Sequence, residues 1–304
     1  MGTVRMTQGM LSNQALTGMQ TGLNRLAKVQ EQLTTGRIIN RPSDDPTGAT
    51  SAMRIRGSLA DQGQYVRNAD DGLGWLNQID SSLSSVTDQV RRAHDIALQG
   101  ANTGSLGPAA REALATEVDQ IRAGLASTAN STYLDRPVFG GITAGSAAYA
   151  VDPGTGAVTY LPTVVTTGGV GRIVAEGAKI RVDVEGPTAF GPDGDSVFDH
   201  LTALATALRA GDTSAIIGSV STIEADGKRI TNVQADVGAR TKRIEQARTA
   251  ASDAQLGLTS SLSEVENTDI VRATVDLKLQ EVAYQAALGA TSRVMQPSLM
   301  DFLR

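Results

Sequence analysis

Residues 216–265 read IIGSVSTIEADGKRITNVQADVGARTKRIEQARTAASDAQLGLTSSLSEV. Within them Ile216, Ile223, Ile230, Val237, Ile244, Ala251, Leu258 and Val265 recur every seven residues. Such a repeat belongs to an α-helix held along one line against a partner, because a 3.5-residue spacing keeps the same side facing inward. One unbroken helix over this span would measure roughly 75 Å at about 1.5 Å per residue, longer than a compact domain of this size requires. The companion line (Gln234, Thr241, Arg248, Gln255) is polar, so the apolar face is narrow and needs a second helix to cover it.

Just upstream, Val197, Phe198, Leu201, Leu204 and Leu208 predict a short helix that ends near Gly211. His200, beside Asp199, reads as a helix-start residue. Between about 139 and 196 the texture changes to Gly, Thr, Val and Pro. Ala147–Val151 and Ala157–Leu161 flank Asp152-Pro-Gly-Thr-Gly156, a β-hairpin pattern. Ile180, Val182 and Val184 alternate with Lys179, Arg181, Asp183 and Glu185, which predicts a half-buried strand with its charges outward. The glycines 168, 169 and 171 read as a turn.

The N-terminal half mirrors the C-terminal one. Leu16, Met19, Leu23, Leu26, Gln30 and Leu33 step by three and four, a coiled-coil seam with one polar interruption, and Gly36 offers the left-handed residue that stops it. In Asn40-Arg-Pro-Ser-Asp-Asp-Pro46, Pro42 blocks helix, Asp44 or Asp45 can cap, and Pro46 suits a first helical position. A second stripe runs Ala52, Ile55, Leu59, Gln62, Val66, Ala69, Leu73, Leu76, slips one step, and continues Ile79, Leu83, Val86, Val90, Ala93, Ala97. Gly100 to Gly107 interrupts it, Pro108 restarts it, and Leu114, Val118, Ile121 and Leu125 predict a third helix antiparallel to the second.

The last segment, from Asp269 to Val294, carries two apolar stripes. One passes through Ile270, Ala273, Leu277, Tyr284 and Ala287, the other through Val271, Val275, Val282 and Ala286. A helix with two such faces needs two neighbours. The N-terminal seam supplies one, and another molecule is expected to supply the other. The residues assigned to this assembly interface are Leu16, Met19, Leu23, Leu26 and Leu33 at one end. At the other they are Val275, Leu277, Leu279, Val282 and Leu288, with Phe302 and Leu303 as a terminal anchor.

The resulting plan is mainly α with a small β domain: an elongated rod whose N- and C-terminal coiled-coil helices pair, with a β-rich insertion mid-chain. The expected divisions are 1–40 (N-terminal assembly helix), 41–138 and 197–265 (the two halves of a helical rod), 139–196 (β-rich insertion) and 266–304 (C-terminal assembly helix).

Composition limits the function classes. Only 3% of the 304 residues are aromatic, and Lys plus Arg (27) and Asp plus Glu (32) are scattered, so no basic stripe or stacking platform for nucleic acid is present. Trp75, Tyr65, Phe139 and Tyr149 read as packing anchors. With no Cys, neither disulfides nor thiolate metal sites arise. No apolar run of about 18 residues marks a membrane span, and the Met1–Met6 start lacks a signal-peptide h-region or a myristoylation pattern. The histidines, His94 and His200, lack metal-ligand spacing, the paired Asp44 and Asp45 lie between prolines where capping explains them, and no P-loop or nucleophile elbow occurs. The expectation is therefore no enzymatic activity, no cofactor and no metal.

Several motifs carry a resemblance. Leu26-Ala-Lys-Val-Gln-Glu-Gln-Leu33, Gly36-Arg-Ile-Ile-Asn-Arg-Pro-Ser-Asp-Asp-Pro46, Tyr65-Val-Arg-Asn68 and Gln99-Gly-Ala-Asn102 resemble the flagellin superfamily. Ile180-Arg-Val-Asp-Val184, Ser196-Val-Phe-Asp199, Ala207-Leu-Arg-Ala-Gly-Asp212 and Pro297-Ser-Leu-Met-Asp-Phe-Leu303 are similar to its hook-associated branch. Two departures stand out: Gly18 and Gly22 lie in the N-terminal seam, and the family's Tyr-Leu-Phe-Gly-Gly element is interrupted as Tyr133-Leu-Asp-Arg-Pro-Val-Phe-Gly-Gly141. The resemblance implies a structural subunit of the bacterial flagellum at the junction of hook and filament, exported through the flagellar type III channel. It implies a homo-oligomer ring, contacts with the first hook-associated protein and with flagellin, and an export chaperone at the C-terminal helix, with no nucleic-acid or membrane partner. A minor filament flagellin is the nearer alternative. A secreted hydrolase on the same scaffold would need catalytic residues in 139–196 that the sequence does not show.

Overall fold

The structure, a computed structural model, describes residues 8–102, 107–143, 145–162 and 169–295. The helices are α1 (Gln8–Thr35), α2 (Pro46–Ala101), α3 (Pro108–Ala129), α4 (Gly186–Phe190), α5 (Val197–Ala210), α6 (Thr213–Glu266) and α7 (Ile270–Met295). The strands are β1 (Thr132–Tyr133), β2 (Arg136–Pro137), β3 (Tyr149–Val151), β4 (Val158–Tyr160), β5 (Gly171–Ala175) and β6 (Ala178–Arg181). The expected mainly helical class with a small β insertion holds. The chain divides into two compact units, one made of residues 1–60 with 255–304, the other of residues 61–254.

In the 61–254 unit the heptad line of α6 is the spine of the core: Ile216, Ile223, Ile230, Val237 and Ile244 have no exposed surface. Its partner is α2, whose Leu76, Ile79, Leu83, Val86 and Ala93 are equally buried, on both sides of the one-step slip. The two run antiparallel. Arg248 pairs with Asp70 at one end, the Gln234 amide donates to Asp80 further on, and Gly100 lies beside Ile216 at the other. On the flank of α6, Ser219 and Asp226 are buried, Val233 and Ala247 pack against the core, and Arg240 donates to the Asp183 carbonyl at 3.0 Å.

Helix α3 returns along α2, as expected from the short connection. Arg92 reaches Glu117, Gly124 faces Gln89, and the Ser82 and Ser131 hydroxyls meet at 2.9 Å. Helix α5 packs on α3, with Arg209 bridging Glu112 and Asp119. Ser196 and Asp199 form a reciprocal capping box at its start and Gly211, at φ +70°, closes it.

Among the described residues the strands form three separate two-stranded antiparallel pairs with no common sheet, β1–β2 just before residue 139 and the other two within the expected insertion. The predicted hairpin forms with Tyr149 opposite Tyr160 and Val151 opposite Val158. Its aromatic rings interlock: Tyr149 contacts Phe190, Phe198 and Tyr160 at centroid distances of 5.7, 5.3 and 5.2 Å, and Phe139 meets Phe190 at 5.0 Å. Phe198 belongs to α5, so hairpin and helix share one core.

The strand predicted across 179–185 is corrected in part. Pairing with β5 stops at Arg181, and Asp183, expected outward, is fully buried. Its carboxylate accepts the Val170 N–H at 2.9 Å and Arg181 Nε at 2.8 Å, which satisfies a charge that would otherwise be expelled. Of the glycines expected to turn there, Gly169 takes φ +51°, Gly171 opens β5, and Gly168 lies outside the described residues.

The interrupted glycine element has a definite shape. Residues 132–137 form the β1–β2 hairpin, whose two turn residues, Leu134 (φ +48°) and Asp135 (φ +60°), are both left-handed. Aspartate tolerates that conformation. A leucine there costs roughly 1–2 kcal/mol.

Candidate assembly interface

In the other unit α1 packs against α7. The direction follows from two contacts: Gly22 faces Tyr284, and the Thr268 N–H donates to the Gly36 carbonyl at 2.9 Å. Early residues of α1 thus lie beside late residues of α7, an antiparallel pair. Gly36 ends α1 at φ +71°, as its position predicts. The turn between α1 and α2 is fixed by Asp44, whose carboxylate accepts the N–H groups of Arg41 (2.9 Å) and Asn40 (3.3 Å) and pairs with Lys28 at 3.1 Å. These hydrogen bonds, the Arg41 amide foremost, hold its carboxyl below the ordinary aspartate range. Asp45 accepts from Thr47 N at 3.0 Å in the first turn of α2. A second tie joins the turns themselves, with the Ile38 N–H donating to the Glu266 carbonyl at 2.7 Å and Arg56 pairing with the buried Glu266 carboxylate at 2.8 Å.

The face of α1 toward α7 is Ala15, Met19, Gly22, Leu26, Val29 and Leu33, all half-buried. It shares Met19, Leu26 and Leu33 with the seam expected from sequence, but Leu16 and Leu23 are each 50% exposed. The seam is rotated toward the small residues. Gly22 lies on this face, where a Cβ would meet the Tyr284 ring at 3.4 Å, an ordinary contact distance, whereas Gly18 has open space beside it.

On α7, Ala273 is buried and Leu277, Tyr284 and Ala287 are half-buried against α1. Ile270, assigned to the same stripe, is exposed. The second stripe is uncovered throughout its described length: Val271, Val275, Val282 and Ala286 are exposed, and so are Leu279 and Leu288 of the assigned interface. Val275, Leu279, Val282 and Ala286 line an apolar groove of 570 Å³, with Lys278 and Thr274 beside them. Covering the three larger side chains would contribute about 1.5–3 kcal/mol each. Phe302 and Leu303 lie outside the described residues.

The chemistry elsewhere is structural in character. His200 sits in the first turn of α5 with Nδ1 2.6 Å from the buried Asp226 and Nε2 3.0 Å from Asp195, while Arg229 contacts the other Asp226 oxygen at 3.0 Å. Burial pushes the Asp226 carboxyl up and the His200 contact pulls it down. Sequence reading missed this network because its members come from different helices. Among the described residues no group of three His, Asp or Glu could hold a metal ion, and no helix is long and apolar enough to cross a membrane.

Known proteins place these features in context. The bacterial flagellin N-terminal helical region matches residues 7–138 and the flagellin C-terminal helical region matches residues 220–303. The chain is 25% identical to flagellar hook-associated protein 3 of Escherichia coli K12, covering 98% of this chain and 99% of that one. It is also similar to flagellin FlaB1 of Treponema pallidum, at 23% identity over 92% of this chain and 93% of the relative. The flagellar junction protein FlgL from Legionella pneumophila shares the fold, with a TM-score of 0.59 and 14% identity over 72% of this chain and all of that one.

Proposed function

We propose that this chain, which belongs to the flagellin superfamily, is the structural subunit that joins the hook-associated ring to the flagellin filament. The observation that carries the reading is the open apolar face of α7. Val275, Leu279 and Val282 repeat on a helix already packed on its other side, and α1 turns Leu16 and Leu23 away from that packing. Exposed rows of this kind are expected to be buried by neighbouring copies, so that α1 and α7 form a shared coiled-coil tube.

The partners that follow are a ring of like subunits, the first hook-associated protein on one side and flagellin on the other. The α7 groove is also the surface an export chaperone would cover before assembly. The site of action is the extracellular hook–filament junction, reached by type III export, and no catalysis is part of the role. Residues 1–40 and 266–304 act as the assembly helices, 41–138 with 197–265 as the helical body, and 139–196 as the insertion. The similarity to a spirochaete flagellin favours a second reading, a minor filament subunit.

Imaging flagella of a deletion strain separates the two. Hooks without filaments, with flagellin shed to the medium, are expected for the junction role; hooks bearing a normal filament would refute it.

A further inference from the structure

The 61–254 unit contains a proton-dependent clamp. We propose that His200, doubly protonated between two carboxylates, fastens the 191–196 loop, and the β3–β4 hairpin tied to it, onto α6, and that the fastening slackens as pH rises. The clamp is a property of the single chain and is independent of the assembly role.

The form of the ring follows from counting donors. A neutral imidazole has one N–H and one lone pair, and an ionised carboxylate only accepts. His200 has a carboxylate oxygen on each side, with Asp226 Oδ2 2.6 Å from Nδ1 and Asp195 Oδ1 3.0 Å from Nε2. With a neutral ring, one of these contacts would set a lone pair against a carboxylate. With both nitrogens protonated, both are charge-assisted hydrogen bonds. A proton on Asp226 instead would leave Arg229, 3.0 Å from its other oxygen, facing an uncharged acid. The imidazolium and Arg229 together balance Asp195 and Asp226, and Asp226 has no exposed surface, so an unbalanced charge there would be costly.

The neighbouring charges are engaged elsewhere. Asp199, next to His200 on α5, accepts from the Gly194 and Ser196 N–H groups and from the Ser196 hydroxyl. Arg122 of α3, the helix packed on α5, reaches Thr202 and Asp119.

The clamp acts on the loop between α4 and α5. Asp195 belongs to that loop, and two residues back Asp193 accepts the Tyr160 N–H of β4 at 3.1 Å. Gly191 takes φ +92°, and a Cβ there would strike the Arg229 guanidinium, so the loop lies directly on side chains of α6. The two carboxylates differ in one respect: Asp226 is buried, whereas the Asp195 side chain is 71% exposed. On losing one proton the ring keeps its N–H toward the buried partner and turns a lone pair toward Asp195, which water can solvate. The outer bond is the one released. A proton held by the folded cluster and given up by the unfolded chain stabilises the fold in acid, and that contribution is lost as pH rises.

Trp75 is the single tryptophan and lies in the core of this unit, so its fluorescence follows urea unfolding of residues 61–254 within the full-length protein. Between about pH 6 and pH 9 the unfolding constant of the natural chain should rise by roughly tenfold more than that of His200→Gln, whose amide keeps a donor and an acceptor but takes up no proton. Parallel curves, the outcome for a histidine that only packs, would overturn the clamp. Asp195→Asn should flatten the same dependence, because an amide opposite Nε2 serves a neutral ring; an unchanged slope would also overturn it. Long-range proton–nitrogen NMR at about pH 7 on a His94→Gln chain, in which His200 is the one imidazole left, should show protons on both ring nitrogens. A ring nitrogen carrying a lone pair there refutes the proposal even if His200→Gln fails to fold.

Discussion

Helices α6 and α7 carry apolar rows of comparable strength and opposite fate. On α6, Ile216 to Ile244 are fully buried by partners from the same chain; on α7, Val275, Leu279 and Val282 stand in solvent. The difference lies in what is available opposite each face. The α6 line meets α2, whereas α7 has two rows and α1 covers one of them. A seam satisfied internally specifies a fold, and a seam left over specifies an assembly.

The strongest way to break the contrast is to charge both rows. Ile230→Asp would bury an unpaired carboxylate in the core and should cost about 4–5 kcal/mol or more, abolishing cooperative unfolding of the 61–254 unit in urea. Ile230→Ala should cost about 2–5 kcal/mol in the same measurement. Val282→Asp, on the open row, should change monomer stability by about 0.5 kcal/mol or less, yet exclude the protein from flagella in a pull-down of sheared filaments. A large loss of monomer stability from Val282→Asp would mean that α7 is already covered.

Hydrogen exchange sharpens the same comparison without mutation. In the free protein, amides of α1 and α7 should exchange well before those of α6 between Ile216 and Ile244, since half-buried pairs open locally while core helices exchange through global unfolding. Equal protection would contradict the distinction. A smaller effect is expected from Leu134→Asn, which relieves the left-handed leucine and should raise stability by about 1 kcal/mol in thermal unfolding.

The smallest effect concerns Asp44. Its carboxyl is held below the ordinary value of 3.8, so the ionised form is favoured in the folded turn. The contribution is present above about pH 3.8 and lost as pH falls through the lowered folded value. Asp44→Asn should remove that acid-dependent step from NMR titration of the neighbouring Arg41 amide.

Much of the fold was legible because its signals are periodic. The isoleucine line marked α6 to within a few residues, and proline and glycine punctuation marked the starts of α2 and α3 and the ends of α1 and α5. What escaped depends on partners distant in sequence or on absent side chains. The rotation of α1 brings Ala15, Gly22 and Val29 onto the face toward α7, which a count of leucines cannot register. Asp183 could be buried because Arg181 and the Val170 amide reach it, whereas alternation alone places every charge outside. Of the interface residues, Val275, Leu279 and Val282 lie on the open face, Leu288 is exposed outside the α7 groove, Leu16 and Leu23 point away from α7, and Met19, Leu26, Leu33 and Leu277 serve the internal pair.

The crosspiece at Gly36–Ile38 and Glu266–Thr268 bears on mechanics. Backbone hydrogen bonds tie the chain leaving α1 to the chain entering α7, and Arg56 bolts Glu266 to α2. Tension applied to either terminal helix is therefore shared by two covalent strands loaded in parallel. A twist delivered to one is passed sideways before it travels onward, so neither linker acts as a free swivel. The crosspiece is in this sense a brace between the two linkers.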